Sequence, residues 1–280
     1  MAQFLIGMSF GIGIAYLAYR AGSLNRQGGI AAGVLGTVVF GLGGVSWAAV
    51  LLTFFISSSV LSRVVSAEKN QTNQDFAKGS RRDAWQVAAN GGFAGLLALL
   101  YFLIQRLGGS HTVLPLFWIG FAASLAGANA DTWATELGVY NPRLPILLTK
   151  FIRVPRGTSG AVSLVGTLVA VAGAALVASV AVLFSQAGLA PALSIQPAHQ
   201  LLIITAAGWF GSLVDSFFGA TIQVIYFCPV CEKGTERHPV HGCGTQTIRF
   251  RGLVWLNNDW VNAACTVSAG ILGLILTLFK

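Results

Sequence analysis

Residues 160–184 read Gly160-Ala-Val-Ser-Leu-Val-Gly-Thr-Leu-Val-Ala-Val-Ala-Gly-Ala-Ala-Leu-Val-Ala-Ser-Val-Ala-Val-Leu-Phe184, a run with no charged side chain. A helix needs roughly 20 mostly apolar residues to cross the hydrocarbon core of a bilayer, and this run is long enough. The pattern repeats along the chain. Apolar stretches suggest spans at about 3–20, 29–44, 46–64, 86–105, 113–131, 160–184, 199–221 and 260–279. The composition agrees, with 55% hydrophobic and 9% charged residues, against roughly 25% charged in soluble domains. The 34 glycines suit close helix–helix approach in lipid. The expected fold is all-α: a polytopic membrane helix bundle of about eight transmembrane helices in one integral membrane domain, 1–280. The second span is short and glycine-rich, so a seven-span variant with a broken or re-entrant segment stays open. The first apolar stretch has no basic residue before Arg20 and reads as a span rather than a removable signal peptide.

The basic residues set the expected orientation. Arg20 and Arg26 follow span one. Arg63, Lys69, Lys78, Arg81 and Arg82 lie around the loop 65–85. Arg143, Lys150, Arg153 and Arg156 lie in the loop 132–159, and Lys233, Arg237, Arg249 and Arg251 in the loop 222–258. Only Arg106 and Lys280 fall on the other side. The positive-inside rule makes the odd-numbered connections cytoplasmic and puts both termini outside. The net charge of +8 then reflects orientation and anionic lipid, with no nucleic-acid partner implied.

Of the nine acidic residues, Glu68, Asp75, Asp83, Glu232 and Glu236 fall in polar loops and read as solvated charges. The other four sit in or beside spans. Asp131 and Glu136 belong to Gly127-Ala-Asn-Ala-Asp-Thr-Trp-Ala-Thr-Glu-Leu-Gly138, Asp215 to Gly211-Ser-Leu-Val-Asp-Ser-Phe-Phe-Gly-Ala-Thr-Ile-Gln223, and Asp259 to Asn257-Asn-Asp-Trp-Val-Asn262. Ionisable groups in membrane helices are costly and usually functional. All four fall at the same end of their spans, and Asn90 of Asn90-Gly-Gly stands at that end of span four. Clustered carboxylates need a cation, and hard oxygen ligands suit Mg²⁺ shared with phosphates. Beside them runs Lys150-Phe-Ile-Arg-Val-Pro-Arg-Gly-Thr-Ser-Gly160. Arg153 and Arg156 can fork onto phosphate oxygens. The backbone of Gly157, Thr158, Ser159 and Gly160 would stand at a helix N-terminus that attracts anions. These are the parts of phosphoryl transfer. The plainer readings are a helix cap at Thr158 or Ser159, and aspartates that pair with arginine or relay protons.

Taken together in this order, Ala130-Asp-Thr-Trp-Ala-Thr-Glu-Leu-Gly138, Arg156-Gly-Thr-Ser-Gly160, Asp215-Ser-Phe-Phe-Gly-Ala-Thr-Ile-Gln223 and Asn257-Asn-Asp-Trp-Val-Asn262 resemble a multispan membrane family that includes plant phytyl-phosphate kinase. The resemblance covers most of the chain. It implies transfer of a nucleotide γ-phosphate to a phytyl or other isoprenoid monophosphate, as used in tocopherol biosynthesis. The setting implied is a cytoplasmic or thylakoid membrane, and CTP is the first donor to consider. On this resemblance Asp131, Asp215 and Asp259 would hold Mg²⁺, with Glu136 as a ligand or a partner to one. Lys150, Arg153 and Arg156 would hold nucleotide phosphates. Asn129, Asn258, Asn262, Ser216 and Gln223 would orient ligands. The alternatives from other classes are a carrier of prenyl phosphate or a small anion, and a lipid cytidylyltransferase.

One loop stands apart. Cys228-Pro-Val-Cys231 is a paired knuckle, and His241 and Cys243 can complete four structural Zn²⁺ ligands, with His238 as substitute. Unligated loop cysteines are the other reading. Cys265, alone in span eight, reads as a small packing residue.

Overall fold

The charge-free run that opens the argument forms α6 (Leu164–Gln186). Inside lipid, backbone amides can be satisfied only within the segment itself, so each apolar run closes into a helix. The others are α1 (Ala2–Arg20), α2 (Arg26–Val38), α3 (Val45–Glu68), α4 (Ala84–Arg106), α5 (Leu114–Leu137), α7 (Pro197–Thr221) and α8 (Asn258–Leu278). The structure is a computed structural model that describes residues 2–68, 81–110, 112–191 and 195–279. Most of the predicted loop 65–85, with Lys69, Asp75 and Lys78, lies outside the described residues, as does Lys280.

Among the described residues six helices are long and apolar enough to cross a membrane: α1, α3, α4, α6, α7 and α8. The other two depart from that standard in opposite ways. α2 has 13 residues, about 20 Å at the α-helical rise and short of the roughly 30 Å core. It passes into a π-helical turn, Val39–Gly43, and then through Gly44 at φ 91° into α3. This is the break expected of the glycine-rich second span. α5 is 24 residues long but polar towards its end, and every residue from Trp118 to Ala130 is buried. It packs against α3, α4, α6, α7 and α8 and is the hub of the bundle.

Small residues let the neighbours reach α5. A side chain built at Gly208 of α7 would lie 2.7 Å from Ala126 Cβ, and one at Gly127 would lie 2.8 Å from Ala269 Cβ of α8; Gly211 packs α7 on α8 in the same way, 2.7 Å from the Cys265 carbonyl. At the other end of the bundle Trp47 meets Phe121, Tyr101 and Trp118 at 4.6, 4.9 and 5.2 Å between ring centres. The Trp118 indole donates to Ser185 Oγ at 2.9 Å. These buried aromatics close that end, leaving the polar end as the open one.

The all-α expectation holds for the long segments, but the connections add two small antiparallel sheets. One pairs β1 (Ile146–Leu147) with β2 (Ala161–Val162). The other has β3 (Ile225–Cys228) between β4 (Lys233–Thr235) and β5 (Ile248–Arg251). Arg251 fastens this second sheet to the bundle by donating to the Gly219 and Ala220 carbonyls at 2.7 Å. Those carbonyls end α7, where a cation also meets the helix dipole favourably.

The packing has a direct test. Gly211→Leu should destabilise the protein by about 1–3 kcal/mol or more through overpacking. Gly13, with nothing within 4 Å of a built side chain, should accept leucine silently. Thermal unfolding of the two variants in detergent, followed by size-exclusion chromatography, makes the comparison.

Candidate active site

The helix α5 runs to Leu137, six residues past the predicted end of its span. Residues 132–137 are therefore helical, and Glu136 stands in the last turn of α5 rather than in a loop. Asp215 lies six residues before the end of α7, about 9 Å along the axis. Asp259 occupies the first turn of α8, where Asn257 caps the helix by accepting from the Asp259 and Trp260 amides. Asn90 sits two turns into α4, whose start is fixed by a capping box of Asp83 and Gln86. Asp83, expected as a solvated charge, is thus a helix cap.

These ends converge on a cavity of about 610 Å³. Asp131, Glu136, Asp215, Asp259 and Glu236 line it, against the cations Arg82, Arg156 and Arg237. Asn90, Ser216, Asn258 and Asn262 also line it, as do Gly157, Thr158, Ser159 and Gly160. Five carboxylates against three guanidiniums leave the walls net acidic. Asp215 Oδ2 is buried and accepts no hydrogen bond among the described residues. A buried carboxylate oxygen left this way favours a cation beside it. The oxygen-only donor set fits a hard divalent ion such as Mg²⁺.

The loop before α6 differs from expectation. The helix starts at Leu164, four residues later than predicted, and its cap is Ser163, which accepts from the Gly166 amide at 3.0 Å. Residues 157–160 are therefore a loop ahead of the helix rather than its N-terminus. Gly157 and Gly160 take φ 83° and 80°, the left-handed region that suits glycine. Gly160 also packs so tightly on α7 that a built side chain would lie 2.1 Å from the Ala220 amide nitrogen. Thr158 Oγ donates to the Pro155 carbonyl at 2.8 Å, and Ser159 Oγ to Gln223 Oε1 at 2.6 Å.

Four expected ligand-handling residues are placed elsewhere. Lys150 and Arg153 are exposed on the β1–β2 connection and do not line the cavity. Of the three cations expected there, only Arg156 does, braced by donation to the Asn141 carbonyl at 2.8 Å. Asn129 is fully buried and clamps helices together. Its amide donates to the Gly173 carbonyl of α6 at 2.8 Å, and its oxygen accepts from Ser57 of α3 at 2.9 Å. Gln223 is a buried strut. It accepts from Ser159 and donates to Glu236 Oε1 at 2.9 Å, joining the loop before α6 to the second sheet.

Sequence reasoning missed Arg82, Gln86, Glu236 and Arg237. Arg82 is the most firmly held of them. Its backbone exchanges hydrogen bonds with the turn between α1 and α2, to the Ser23 carbonyl and from the Asn25 amide, both at 3.0 Å. Its guanidinium donates to Ser58 at 2.9 Å and Ser59 at 3.2 Å, and lies over the rings of Phe54 and Phe55. Burial pushes it down to about 10, against the opposing pull of the Glu136 carboxylate, so it stays charged at neutral pH. Ser62 Oγ in turn donates to Glu136 Oε1 at 2.8 Å. The one available signal was local: Arg82 directly precedes the α4 cap.

A second cavity shares part of its wall with the first. It is apolar, about 80 Å³, and lined by Ala18, Ala32, Leu35, Leu51 and Phe55 among others from α1 to α4. Arg82, Gln86 and Asn90 line both cavities.

With this geometry in view, comparison with known proteins gives a family. The model for integral membrane protein DUF92 matches residues 9–270. The chain belongs to the DUF92 family. Protein PGR of Arabidopsis thaliana is 32% identical over 277 residues, covering 95% of this chain and 93% of PGR. Uncharacterized membrane protein MJ0933 of Methanocaldococcus jannaschii is 28% identical over 263 residues, covering 94% and 90%. Protein VTE6, chloroplastic, of Arabidopsis thaliana is 26% identical over 256 residues, covering 91% of this chain and 66% of VTE6. No solved structure matches. The resemblance carried by the four sequence motifs is therefore a real membership.

The two kinds of polar residue should separate on substitution. Asn129→Ala should cost about 1–3 kcal/mol by orphaning buried partners. Asp215→Asn should raise the unfolding temperature in Mg²⁺-free buffer by relieving repulsion, and should blunt any stabilisation by added Mg²⁺. Thermal scans with and without Mg²⁺ read both effects.

Proposed function

We propose that this protein transfers the γ-phosphoryl group of a nucleoside triphosphate to an isoprenoid monophosphate, with phytyl monophosphate as first acceptor and CTP as first donor. The observation that carries the reading is the junction at Arg82, Gln86 and Asn90. There a polar cavity able to hold phosphates and a cation shares a wall with an apolar one. A single-tailed lipid phosphate has this two-part chemistry. The apolar cavity is small, so it holds only the carbons nearest the phosphate, and the rest of the chain lies among lipid. Membership of a family that includes plant phytyl-phosphate kinase supports the same reading.

On this reading the chain is one membrane domain with eight spans. α5 crosses as the shielded central span, and α2 with its π turn crosses as a broken one. The basic odd-numbered connections support a cavity on the cytoplasmic side with both termini outside. The membrane is then a cytoplasmic or thylakoid membrane.

The residues divide the work. Arg82, fixed at the junction, holds the acceptor phosphate. Arg156 and Arg237 hold the donor phosphates in forked contacts. Asp131, Asp215 and Asp259 would hold Mg²⁺, with Glu136 beside them, and the ion would neutralise phosphate charge. Asn90, Ser216, Asn258 and Asn262 orient the groups in between. An acceptor phosphate oxygen attacks the γ-phosphorus, the bond from that phosphorus to the β–γ bridging oxygen breaks, and a nucleoside diphosphate leaves. The acceptor is already ionised, so no strong base is required, and positioning and charge stabilisation supply the catalysis. The acids gather at one end of the bundle rather than at mid-depth, which favours an enzyme over a carrier.

Purified protein, phytyl monophosphate, Mg²⁺ and each of CTP, ATP, GTP and UTP should give phytyl diphosphate and a nucleoside diphosphate. Asp131→Ala and Asp215→Ala should lower turnover by about 10²-fold or more. A nucleotidyl-lipid with pyrophosphate would replace the reading with a cytidylyltransferase. No turnover by folded protein on any prenyl phosphate would leave the carrier. The lipid cavity has its own test, since Ala32→Phe should raise KM for phytyl monophosphate about tenfold. A short prenyl monophosphate, whose first carbons occupy the same cavity, should show the same rise, while KM for the nucleotide should not move.

A further inference from the structure

The second sheet carries a cluster of soft ligands that the phosphoryl-transfer reading does not use. Cys228 ends β3, and Cys231 follows in the turn to β4. His241 and Cys243 lie in a second tight turn, closed by the His241 amide to the Thr245 carbonyl and the Gly244 amide to the His241 carbonyl, both 2.9 Å. The two turns face each other, each offering two ligands. All four ligand atoms lie within 4.8 Å of one another. Cys228 Sγ is 3.6 Å from Cys243 Sγ, and Cys231 Sγ is 3.6 Å from His241 Nδ1. Zn–S bonds of about 2.3 Å and Zn–N bonds of about 2.0 Å at tetrahedral angles set such edges at roughly 3.5–3.8 Å; the His241 Nδ1–Cys243 Sγ edge is 3.1 Å and opens by a few tenths of an ångström around the ion.

His238, the substitute expected from sequence, stacks on Tyr226 with ring centres 4.2 Å apart, and its Nδ1 is 3.3 Å from Thr247 Oγ. Glu232, directly after Cys231, takes φ 51°. A non-glycine residue persists there only when the surroundings hold the turn, and turning the chain at this point aims both knuckle thiols to one side. Thiolates with one imidazole are the donor set for zinc rather than for a hard cation.

The ligands bracket what the cavity needs from this loop. Between the Cys228–Cys231 turn and the His241–Cys243 turn runs the segment with Glu236 and Arg237, both on the cavity wall. Thr247 Oγ holds that segment through the Arg237 carbonyl at 3.1 Å, and Gln223 holds Glu236 from the other side. We infer that Cys228, Cys231, His241 and Cys243 bind one structural zinc ion, which pins both ends of this segment and so sets Glu236 and Arg237 on the rim of the acidic cavity. Four protein ligands fill the tetrahedron, so the ion is structural.

Metal analysis of the whole protein, purified without added metal or chelator, tests this without reference to turnover. About one zinc per chain is expected. Cys228→Ser/Cys231→Ser and His241→Ala should lose it. His241→Cys, which keeps four soft ligands, should retain it, and so should Cys265→Ser, far from the loop. Chelator treatment of the unaltered protein avoids reliance on variants that fail to fold. It should speed tryptic cleavage after Lys233 and Arg237 by about tenfold or more, reversed by zinc. Metal-free protein with reactive thiols at 228, 231 and 243, a disulfide among them, another metal in stoichiometric amount, or unchanged cleavage after metal removal would each overturn the inference. Because metal content and cleavage are read without substrate, failure here and failure of the kinase reading are separate results.

Discussion

The burial of α5 is the constraint on which the rest depends. A helix that ends in Asp131 and Glu136 gains little from lipid, yet from Trp118 to Ala130 it is enclosed completely. Glycine and alanine at the crossings allow this: Gly208 brings α7 against Ala126, Gly127 lets α8 approach through Ala269 and Cys265, and Gly211 seats α7 on α8. The small residues have a direct consequence for the site. They bring the ends of α5, α7 and α8 close enough for Asp131, Asp215 and Asp259 to share one cavity. Larger residues at the crossings would splay the helices and separate the carboxylates.

Packed helices alone would leave an acidic hole, and what balances it comes from the connections. Arg82 reaches the cavity from the entry to α4, Arg156 from the loop before α6, and Arg237 from the sheet after α7. Each is held by partners outside the cavity: serines of α3 for Arg82, the Asn141 carbonyl for Arg156, and Thr247, through the backbone carbonyl, for Arg237. These outside contacts hold the segments that carry the three arginines on the cavity wall before any phosphate enters. Groups positioned in advance cost little reorganisation when charge develops beside them.

The helices were legible in the sequence because lipid enforces a single rule: an apolar run of sufficient length must be a helix. Asp131, Asp215 and Asp259 were legible for the same reason, as charges where the rule forbids them. Legibility ended where the rule ended. Glu136 was read at the margin of its span because hydropathy falls before the helix does, although α5 continues for nearly two more turns. Asn129 looked like a ligand by proximity to Asp131, but the helical turn aims it at α3 and α6 instead. Lys150 and Arg153 looked like phosphate ligands by charge, but the short β1–β2 hairpin holds them in solvent. Arg82 and Glu236 were passed over as loop charges, since nothing in a linear pattern shows that a loop folds back over a helix end.

The two small sheets sharpen this division of labour. A membrane bundle fixes helices relative to one another but gives little control over the residues between them, where water competes for every hydrogen bond. Here the loop before α6 is tied to the sheet through Ser159, Gln223 and Glu236, and the sheet is tied to the end of α7 through Arg251. One chain of contacts thus runs from the glycine-bearing loop, through a buried glutamine, to a carboxylate on the cavity wall and back to the helix that carries Asp215. A change in the Cys/His turns would be felt first at Glu236 and Arg237 and only afterwards in the bundle. The bundle sets where charge collects, and the loops set how tightly the collected charge is held.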